Sequence, residues 1–311
     1  MKIYEYTLNK KLDIPECALA LGFFDGVHAG HRKLLETTRT LAKERGLIFA
    51  VFTFLSENGF KSKERLYSTG EKLSLLEDIG AEAVIISDFS GISEISAEDF
   101  INGSLISDMN ARVAVAGYDF RFGRGALGDS ALLANTMKSA GLDCVIEKEQ
   151  KIGEEKISTT KIKELLASGE VGLARQFLGM PYFIGGEVKR GNGVGHTLGF
   201  PTVNTDFEDG KTLLKRGVYR TAVDVDGTLY SGVTNVGSCP TFEERSLHAE
   251  TFILDFSGDL YGKAIRIYFL GFLREEKQFS SPKELILQIN VDKNRAIKEN
   301  GELLWQEIGL N

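Results

Sequence analysis

The feature that most constrains the fold is a change of rhythm partway along the chain. From Cys17 to about Glu147, short β-rich runs alternate with longer stretches of helical period. From Tyr182 to Leu273, short runs rich in Val, Tyr, Phe and Ile are separated by glycine turns. The first pattern is that of a parallel sheet with crossover helices, and the second that of a small antiparallel barrel. At 311 residues the chain also exceeds the size at which single cores usually stop growing. Two domains are expected, residues 1–180 and 181–311, with Gly179-Met-Pro181 breaking the helical pattern between them.

In the first domain the expected strands are Ala18–Phe23, Leu47–Phe54, Ala83–Ser87, Arg112–Ala116 and Leu142–Ile146. Leu34, Leu35, Thr38, Leu41 and Ala42 form one apolar stripe that ends at Gly46, which predicts a packed crossover helix. Ser68 with Glu71 reads as a capping box, and Ser96 with Asp99 opens a third helix. Two short helices, Thr160–Ala167 and Val171–Leu178, follow. In the second domain, Val225-Asp-Gly227 and Phe256-Ser-Gly-Asp259 mark turns. Ser281-Pro282 then starts a long amphipathic helix that sets Leu285, Ile289 and Ala296 against the barrel.

Charge and cysteine content exclude several function classes. With 37 basic against 44 acidic residues and a formal charge of −7, the chain repels a phosphate backbone and has no lysine-rich block to offset this, so no nucleic-acid partner is expected. Cys17, Cys144 and Cys239 are odd in number and far apart, which fits a reducing compartment better than a disulfide framework or a zinc site. The apolar run Ala18–Phe24 is far shorter than a membrane span and lacks the order of a signal peptide. The expected setting is the cytoplasm, with no membrane partner.

The turn Leu21-Gly-Phe-Phe-Asp-Gly-Val-His-Ala-Gly-His31 joins the first strand to the first helix, where a parallel sheet exposes its ligand crevice. Gly22, Gly26 and Gly30 let the backbone approach a ligand, and His28 and His31 can face the same side. A polyphosphate suits such a place, because the helix N-terminus supplies unpaired N–H groups and the imidazoles can donate to oxygens that gain charge. The alternatives are two histidines satisfied by local backbone bonds, or a zinc pair that lacks a nearby third ligand. The chain has only four histidines, and two of them sit in this one turn.

A second constellation runs from Lys189 to Asn204, with four glycines in nine residues leading into a strand. Such turns can present successive N–H groups to an anion, although Gly191, Gly193 and Gly195 match neither the Rossmann nor the Walker spacing. Thr202 and Asn204 point to one face of the extended strand, two hard oxygen donors of the kind magnesium prefers. On the expected strand His248–Phe256, Glu250 shares a face with Phe252, Leu254 and Phe256. Desolvation on such an apolar face tends to raise a carboxyl pKa and suits it to take a proton from a hydroxyl, whereas the competing reading is a strand-edge glutamate that reaches solvent or an arginine.

Gly22-Phe-Phe-Asp-Gly-Val-His-Ala-Gly-His31 resembles the H-x-G-H signature of nucleotidyltransferases, in the form found in bacterial bifunctional riboflavin kinase/FMN adenylyltransferases. The resemblance implies ATP at this turn, near Gly22, Phe23, Asp25 and Gly30, with His28 and His31 catalytic. Ile157-Ser-Thr-Thr-Lys-Ile162 is similar to the family's second motif and implies nucleotide contacts from Ser158, Thr159 and Thr160. Lys161 stands there where the family usually has arginine, which exchanges a two-pronged contact for a point charge. Taken alone, Ser-Thr-Thr is an ordinary helix cap. Gly117-Tyr-Asp-Phe-Arg-Phe-Gly123 resembles the family's flavin and nucleotide loop, making Asp119 and Arg121 binding candidates; otherwise it is a turn with a surface ion pair. After Val51-Phe-Thr-Phe54 the family continues with an Asp-Pro-His-Pro-like stretch, and this chain reads Leu55-Ser-Glu-Asn-Gly59.

Gly199-Phe-Pro-Thr-Val-Asn204, Gly217-Val-Tyr219, Asn235-Val-Gly237, Pro240-Thr-Phe242, Glu250 and Leu254–Gly262 resemble the riboflavin kinase domain in order and spacing. The family implies that Thr202 and Asn204 bind magnesium and ATP phosphates, that Gly191 and Gly195 border the nucleotide, and that Glu250 activates the riboflavin 5′-hydroxyl; Phe269 to Phe279, with Arg274, resembles its flavin-side segment. The expected substrates are riboflavin, FMN and ATP, with magnesium as cofactor. The rival expectations are a kinase with a degenerate transferase domain, suggested by Leu55–Gly59, Ala126 and Lys161, and a flavin-binding regulatory protein without turnover.

Overall fold

A computed structural model describes residues 1–54, 64–189, 200–208, 210–212, 214–238 and 247–300. The chain divides into two compact units, Met1–Ile157 and Ser158–Asn311. Of the expectations above, Leu55–Gly59, Gly191, Gly193, Gly195, Cys239 and Pro240-Thr-Phe242 lie outside the described residues.

The first unit is a six-stranded sheet of β1 (Lys2–Tyr6), β2 (Cys17–Leu21), β3 (Ile48–Phe54), β4 (Ala83–Ser87), β5 (Ala111–Gly117) and β6 (Asp143–Glu147). Its order is β1-β4-β3-β2-β5-β6, and every neighbouring pair is parallel. Every residue of β2 and β4 is buried, as expected of strands covered on both faces. β1 was not anticipated; in Lys2-Ile-Tyr-Glu-Tyr6 only Tyr6 is buried, so this edge strand carries almost no apolar signal.

Helix α1 (Ala29–Arg45) buries Leu34, Leu35, Thr38 and Ala42 and ends at Gly46 in the left-handed region. Thr38 is accommodated because its Oγ1 donates to the Leu34 carbonyl at 2.8 Å. Helix α2 (Thr69–Asp78) opens with the expected capping box: Ser68 accepts from the Glu71 N–H, and Glu71 Oε2 accepts from the Ser68 N–H. Ser96 caps α3 (Ala97–Asp99), which runs on as a wider helix over Phe100–Asp108. α4 (Ser130–Ser139) precedes β6.

The order places β3 on one side of β2 and β5 on the other. The sheet thus changes direction between β2 and β5, and in such sheets ligands bind outside the carboxyl ends at that point. The His28 turn leaves β2 there, and the Gly117–Gly123 segment leaves β5 there.

In the second unit α5 (Thr159–Ser168) and α6 (Val171–Leu178) precede β7 (Phe183–Glu187), β8 (Thr202–Asp206), β9 (Gly217–Val225), β10 (Thr228–Ser238), β11 (Leu247–Ile253) and β12 (Ala264–Arg274). Their antiparallel order is β7-β12-β9-β10-β11-β8. Lys189, just past β7, bridges Asn204 of β8, so the two edges nearly meet and the sheet becomes an almost closed barrel. Asp226 (φ 50°) and Gly227 (φ 82°) form a two-residue turn with both φ positive, the geometry that matches strand twist in a tight hairpin. Tyr182, Phe183, Tyr219, Tyr268 and Phe269 are fully buried in this unit.

The strand expected over His248–Phe256 ends at Ile253, and Asp255 turns the chain at φ 55°. Leu254 and Phe256 therefore do not extend the face that carries Glu250. α7 (Pro282–Asn300) closes the unit, with Ala296 buried among Val218, Val233 and Leu273.

Replacing the buried Ser68 with alanine removes one half of the α2 capping box. The expected loss is about 1 kcal/mol of stability in the first unit, read from the midpoint of denaturant unfolding followed by a probe in that unit.

Candidate active sites

Local strain shapes the first site. Phe24 (φ 52°) and Val27 (φ 40°) occupy the left-handed region without being glycine, and Gly26 (φ 82°) lies between them. Such outliers persist only where the surroundings hold them, and they concentrate at ligand sites. A side chain at Gly26 would be strained at this φ, and its Cβ would stand 2.4 Å from Leu66 Cδ1 and force that side chain to shift. Asp25 Oδ1 accepts the Leu66 N–H at 3.1 Å, so this carboxylate braces the turn.

His28 caps α1, its Nδ1 accepting the His31 N–H at 3.3 Å. That bond puts the proton of a neutral His28 on Nε2. The two imidazoles stack with centroids 3.7 Å apart and 9° between planes, and the Phe24 ring meets His31 edge-on at 5.2 Å. The Nδ1 atom of His31 is buried without a hydrogen-bond partner among the described residues. Burial pushes His28 down to about 4 and His31 well below its ordinary value. Both rings are therefore neutral at pH 7, and what they offer an anion is N–H donors.

The structure separates the two residues expected in the β5 loop. Asp119 pairs with Lys156 at 3.2 Å, and both charges act on His28, Asp119 favouring its protonated form and Lys156 opposing it. Lys156 lies 5.0 Å from the centroid of the Tyr118 ring, whose hydroxyl donates to Glu149 at 2.7 Å. Arg121 faces elsewhere. With Phe54, Phe89, Phe100, Phe120 and Phe122 it lines a cavity of ≈ 310 Å³ bordered by Ala126. Its 3.7 Å pair with Asp129 is exposed and adds little stability. Sequence reading missed this aromatic cavity, because its rings come from four separate segments and only the fold joins them.

Ser158, Thr159, Thr160 and Lys161 open α5 in the second unit, where the Ser158 hydroxyl caps the helix by accepting the Lys161 N–H at 3.3 Å.

The second site is built on strand register. Asn204 stands opposite Glu250, Thr202 opposite Phe252, and Glu250 opposite Asn235 on its other side. Residues opposite one another share a face, so Thr202, Asn204, Asn235 and Glu250 form one polar group on the outer surface of the barrel wall. The burial alternation of β11 puts Ala249, Thr251 and Ile253 in the core and leaves His248, Glu250 and Phe252 half-buried. The apolar face expected around Glu250 is thus a cavity wall, distinct from the barrel core. Thr202 Oγ1 donates to Glu250 Oε1 at 2.7 Å.

Thr202, Asn235 and Glu250 line a cavity of ≈ 240 Å³ whose far wall is α7, through Leu285, Ile289 and Asp292. Arg274 also lines it, with its guanidinium held by Asp292 at 3.0 Å from Nε and 2.8 Å from Nη2. Gln288 donates to the same carboxylate at 3.0 Å. Arg274 therefore braces α7 against β12. Asn235, Glu276 and Lys277 line the cavity too; Asn235 falls in the Asn235-Val-Gly237 match and the other two in the Phe269–Phe279 segment, although none of the three was singled out.

A parallel sheet with a histidine turn at its switch point, joined to a small barrel with an acidic cavity, defines a class of two-domain transferases. A FAD synthetase family model matches residues 10–161, and a riboflavin kinase family model matches residues 178–299. The bifunctional riboflavin kinase/FMN adenylyltransferase of Bacillus subtilis (strain 168) is 35% identical over 292 residues, covering 90% of this chain and 91% of that protein. The protein of the same name from Escherichia coli (strain K12) is 34% identical over 289 residues, covering 90% and 91%. The chain belongs to the family of bifunctional riboflavin kinase/FMN adenylyltransferases and carries both of its domains.

A crystal structure described as a macrolide-efflux protein from Streptococcus pneumoniae matches with a TM-score of 0.83 and 27% identity, over 96% of this chain and 99% of that one. That name is the other protein's. Among the described residues here, no helix is long and apolar enough to cross a membrane.

Because His28 is held below its ordinary 6.5, the unfolded chain binds more protons than the folded one between about 4 and 6.5. The contribution of His28 to stability is therefore complete above pH 6.5 and is lost as pH falls towards 4. The thermal stability of the first unit is expected to fall as pH drops through this window, and a His28→Gln variant is expected to show a flatter dependence in the same melts.

Proposed function

We propose that the protein phosphorylates riboflavin to FMN in the second unit and adenylylates FMN to FAD in the first. The observation that carries the kinase half is Glu250, hydrogen-bonded to Thr202 on the wall of a cavity large enough to admit part of a flavin. In this reading the ring system of riboflavin occupies the cavity between the barrel face and α7. Glu250 accepts the proton of the 5′-hydroxyl as that oxygen bonds to the γ-phosphorus of ATP and the bond to the β-phosphate oxygen breaks, releasing ADP. The Thr202 hydroxyl holds the carboxylate in position, and the Arg274–Asp292 pair fixes the wall against which the flavin lies.

The oxygen donors Thr202 and Asn204, beside the Glu250 carboxylate, fit a magnesium ion in number and hardness. When bound, the ion would neutralise charge on the phosphate oxygens. Gly191 and Gly195 are assigned to the nucleotide by their motif.

For the transferase half, a phosphate oxygen of FMN attacks the α-phosphorus of ATP and pyrophosphate leaves. Gly22, Phe23 and Gly30 give the nucleotide close backbone approach, and Asp25 keeps the turn in shape. His28 and His31 donate N–H groups to oxygens that gain charge, and positioning supplies most of the rest. The aromatic cavity beside Arg121 takes the flavin ring, and Asp119 sits on the His28 side. Ser158, Thr159, Thr160 and Lys161, in the second unit, are assigned to nucleotide binding by the resemblance of their motif alone. A cytoplasmic setting is consistent with Cys17 and Cys144, which are free thiols.

Purified protein with riboflavin, ATP and magnesium is expected to yield FMN and then FAD, separated by chromatography. Glu250→Gln is expected to cut FMN formation by about 10³-fold while FMN supplied directly is still converted to FAD within twofold of wild type. If FMN supplied to the wild-type protein gives no FAD, the transferase half of the proposal fails.

A further inference from the structure

Lys72 of α2 is only 6% exposed, and it lies in neither signature motif. Its ammonium group faces three acceptors: the Phe54 carbonyl at 2.8 Å, Thr53 Oγ1 at 3.2 Å and the Phe23 carbonyl at 3.3 Å. A lysine ammonium has three N–H donors, so each donor has one partner. Thr53 Oγ1 also donates to the Phe23 carbonyl at 2.9 Å, which closes the group into a triangle. The Phe23 ring lies 5.3 Å from the ammonium.

These acceptors belong to the two segments that the adenylyl-transfer reading depends on. Phe23 is in the turn that delivers His28 and His31, and Phe54 ends β3 and lines the aromatic cavity. A buried charge is costly unless fully hydrogen-bonded, so a lysine kept there with every donor used is a fixed joint between the two segments.

Resting on the transferase reading above, we propose that Lys72 is a positioning residue for adenylyl transfer, its ammonium holding the histidine turn in register with the flavin cavity. The group contacts no substrate in this proposal. It acts through the backbone of Phe23 and Phe54, and misplacement by about 1 Å at this distance from the chemistry is enough to cost about 10²-fold in rate.

The joint is sensitive to pH. Burial brings Lys72 down to about 8, with Asp25 favouring the charged form and Arg65 opposing it, and its charge in turn disfavours protonation of His31. Above that pH the amine keeps two donors in place of three, so one of the three contacts opens. FAD formation is therefore expected to fall on the alkaline side, whereas riboflavin phosphorylation, carried by the other unit, has no part in this titration.

The test uses the full-length protein and measures both activities on each sample. Lys72→Met is expected to lower the kcat of FMN-to-FAD conversion by about 10²-fold while riboflavin phosphorylation stays within twofold. Thr53→Val, nearly isosteric, removes one acceptor that favours the charged amine. It should move the alkaline fall of FAD formation to lower pH by about one unit, a shift that a merely structural role for Thr53 would not produce.

FAD formation by Lys72→Met within threefold of wild type overturns the proposal. So does an alkaline fall in Thr53→Val that coincides with the wild-type one, and this second result decides alone if Lys72→Met unfolds the first unit. No FAD from the wild-type protein given FMN and ATP would instead overturn the transferase reading itself.

Discussion

The parallel pairing of β2 with β3 on one side and β5 on the other is the constraint on which the first unit rests. β2 sits in mid-sheet with every residue buried, so its backbone groups have to be paired within the sheet. Once that pairing is made, the chain after β2 and the chain after β5 have to leave at the same edge of the sheet. The histidine turn and the Asp119–Arg121 loop become neighbours by topology, although about ninety residues separate them in sequence. Glycine and left-handed φ values at Phe24, Gly26 and Val27 then bend the first of these segments into a helix cap.

The second unit solves the same problem with register. The Asn204↔Glu250↔Asn235 row comes from three different strands, and the two-residue period of β structure puts its polar side chains on one face while Ala249 and Thr251 fill the core. A one-residue slip of β11 would bury Glu250 and expose Ala249 and Thr251. Catalytic placement and core burial are therefore the same constraint. The hydroxyls of Thr221, Thr234 and Thr251, fully buried and linked at 2.9 Å, run through three adjacent strands and tolerate only this register.

Much of this was legible in the sequence because it is local. The βα alternation, the Ser68–Glu71 box, Gly46 and Gly179 as helix ends and the Val225-Asp-Gly227 hairpin all follow from residues within a few positions of one another. The two signature regions were also readable, since each is a continuous stretch. What escaped is what long-range packing creates. β1 gains its place only from β4, the aromatic cavity collects rings from separate segments, and Lys72 looks like an ordinary surface residue of a helix until α2 docks. The expectation for Glu250 placed it on an extended apolar strand face; Asp255 ends that strand by turning the chain, which no alternation pattern reveals.

Each unit braces its site with a cation largely withdrawn from solvent, and the two differ in kind. Arg274 meets a carboxylate, Asp292, in a two-pronged contact reinforced by Gln288, so a permanently charged group is matched by an opposite charge across the cavity wall. Lys72 meets only neutral acceptors, two carbonyls and a hydroxyl, and its charge is balanced at longer range by Asp25. A guanidinium does not lose its proton in proteins, whereas a desolvated ammonium does. The histidine turn is thus braced by a contact that loosens in the alkaline range. The structural asymmetry between the two halves lies in the partner given to each bracing cation, and it follows from α7 bringing a carboxylate to the barrel while α2 brings the sheet only the end of a lysine.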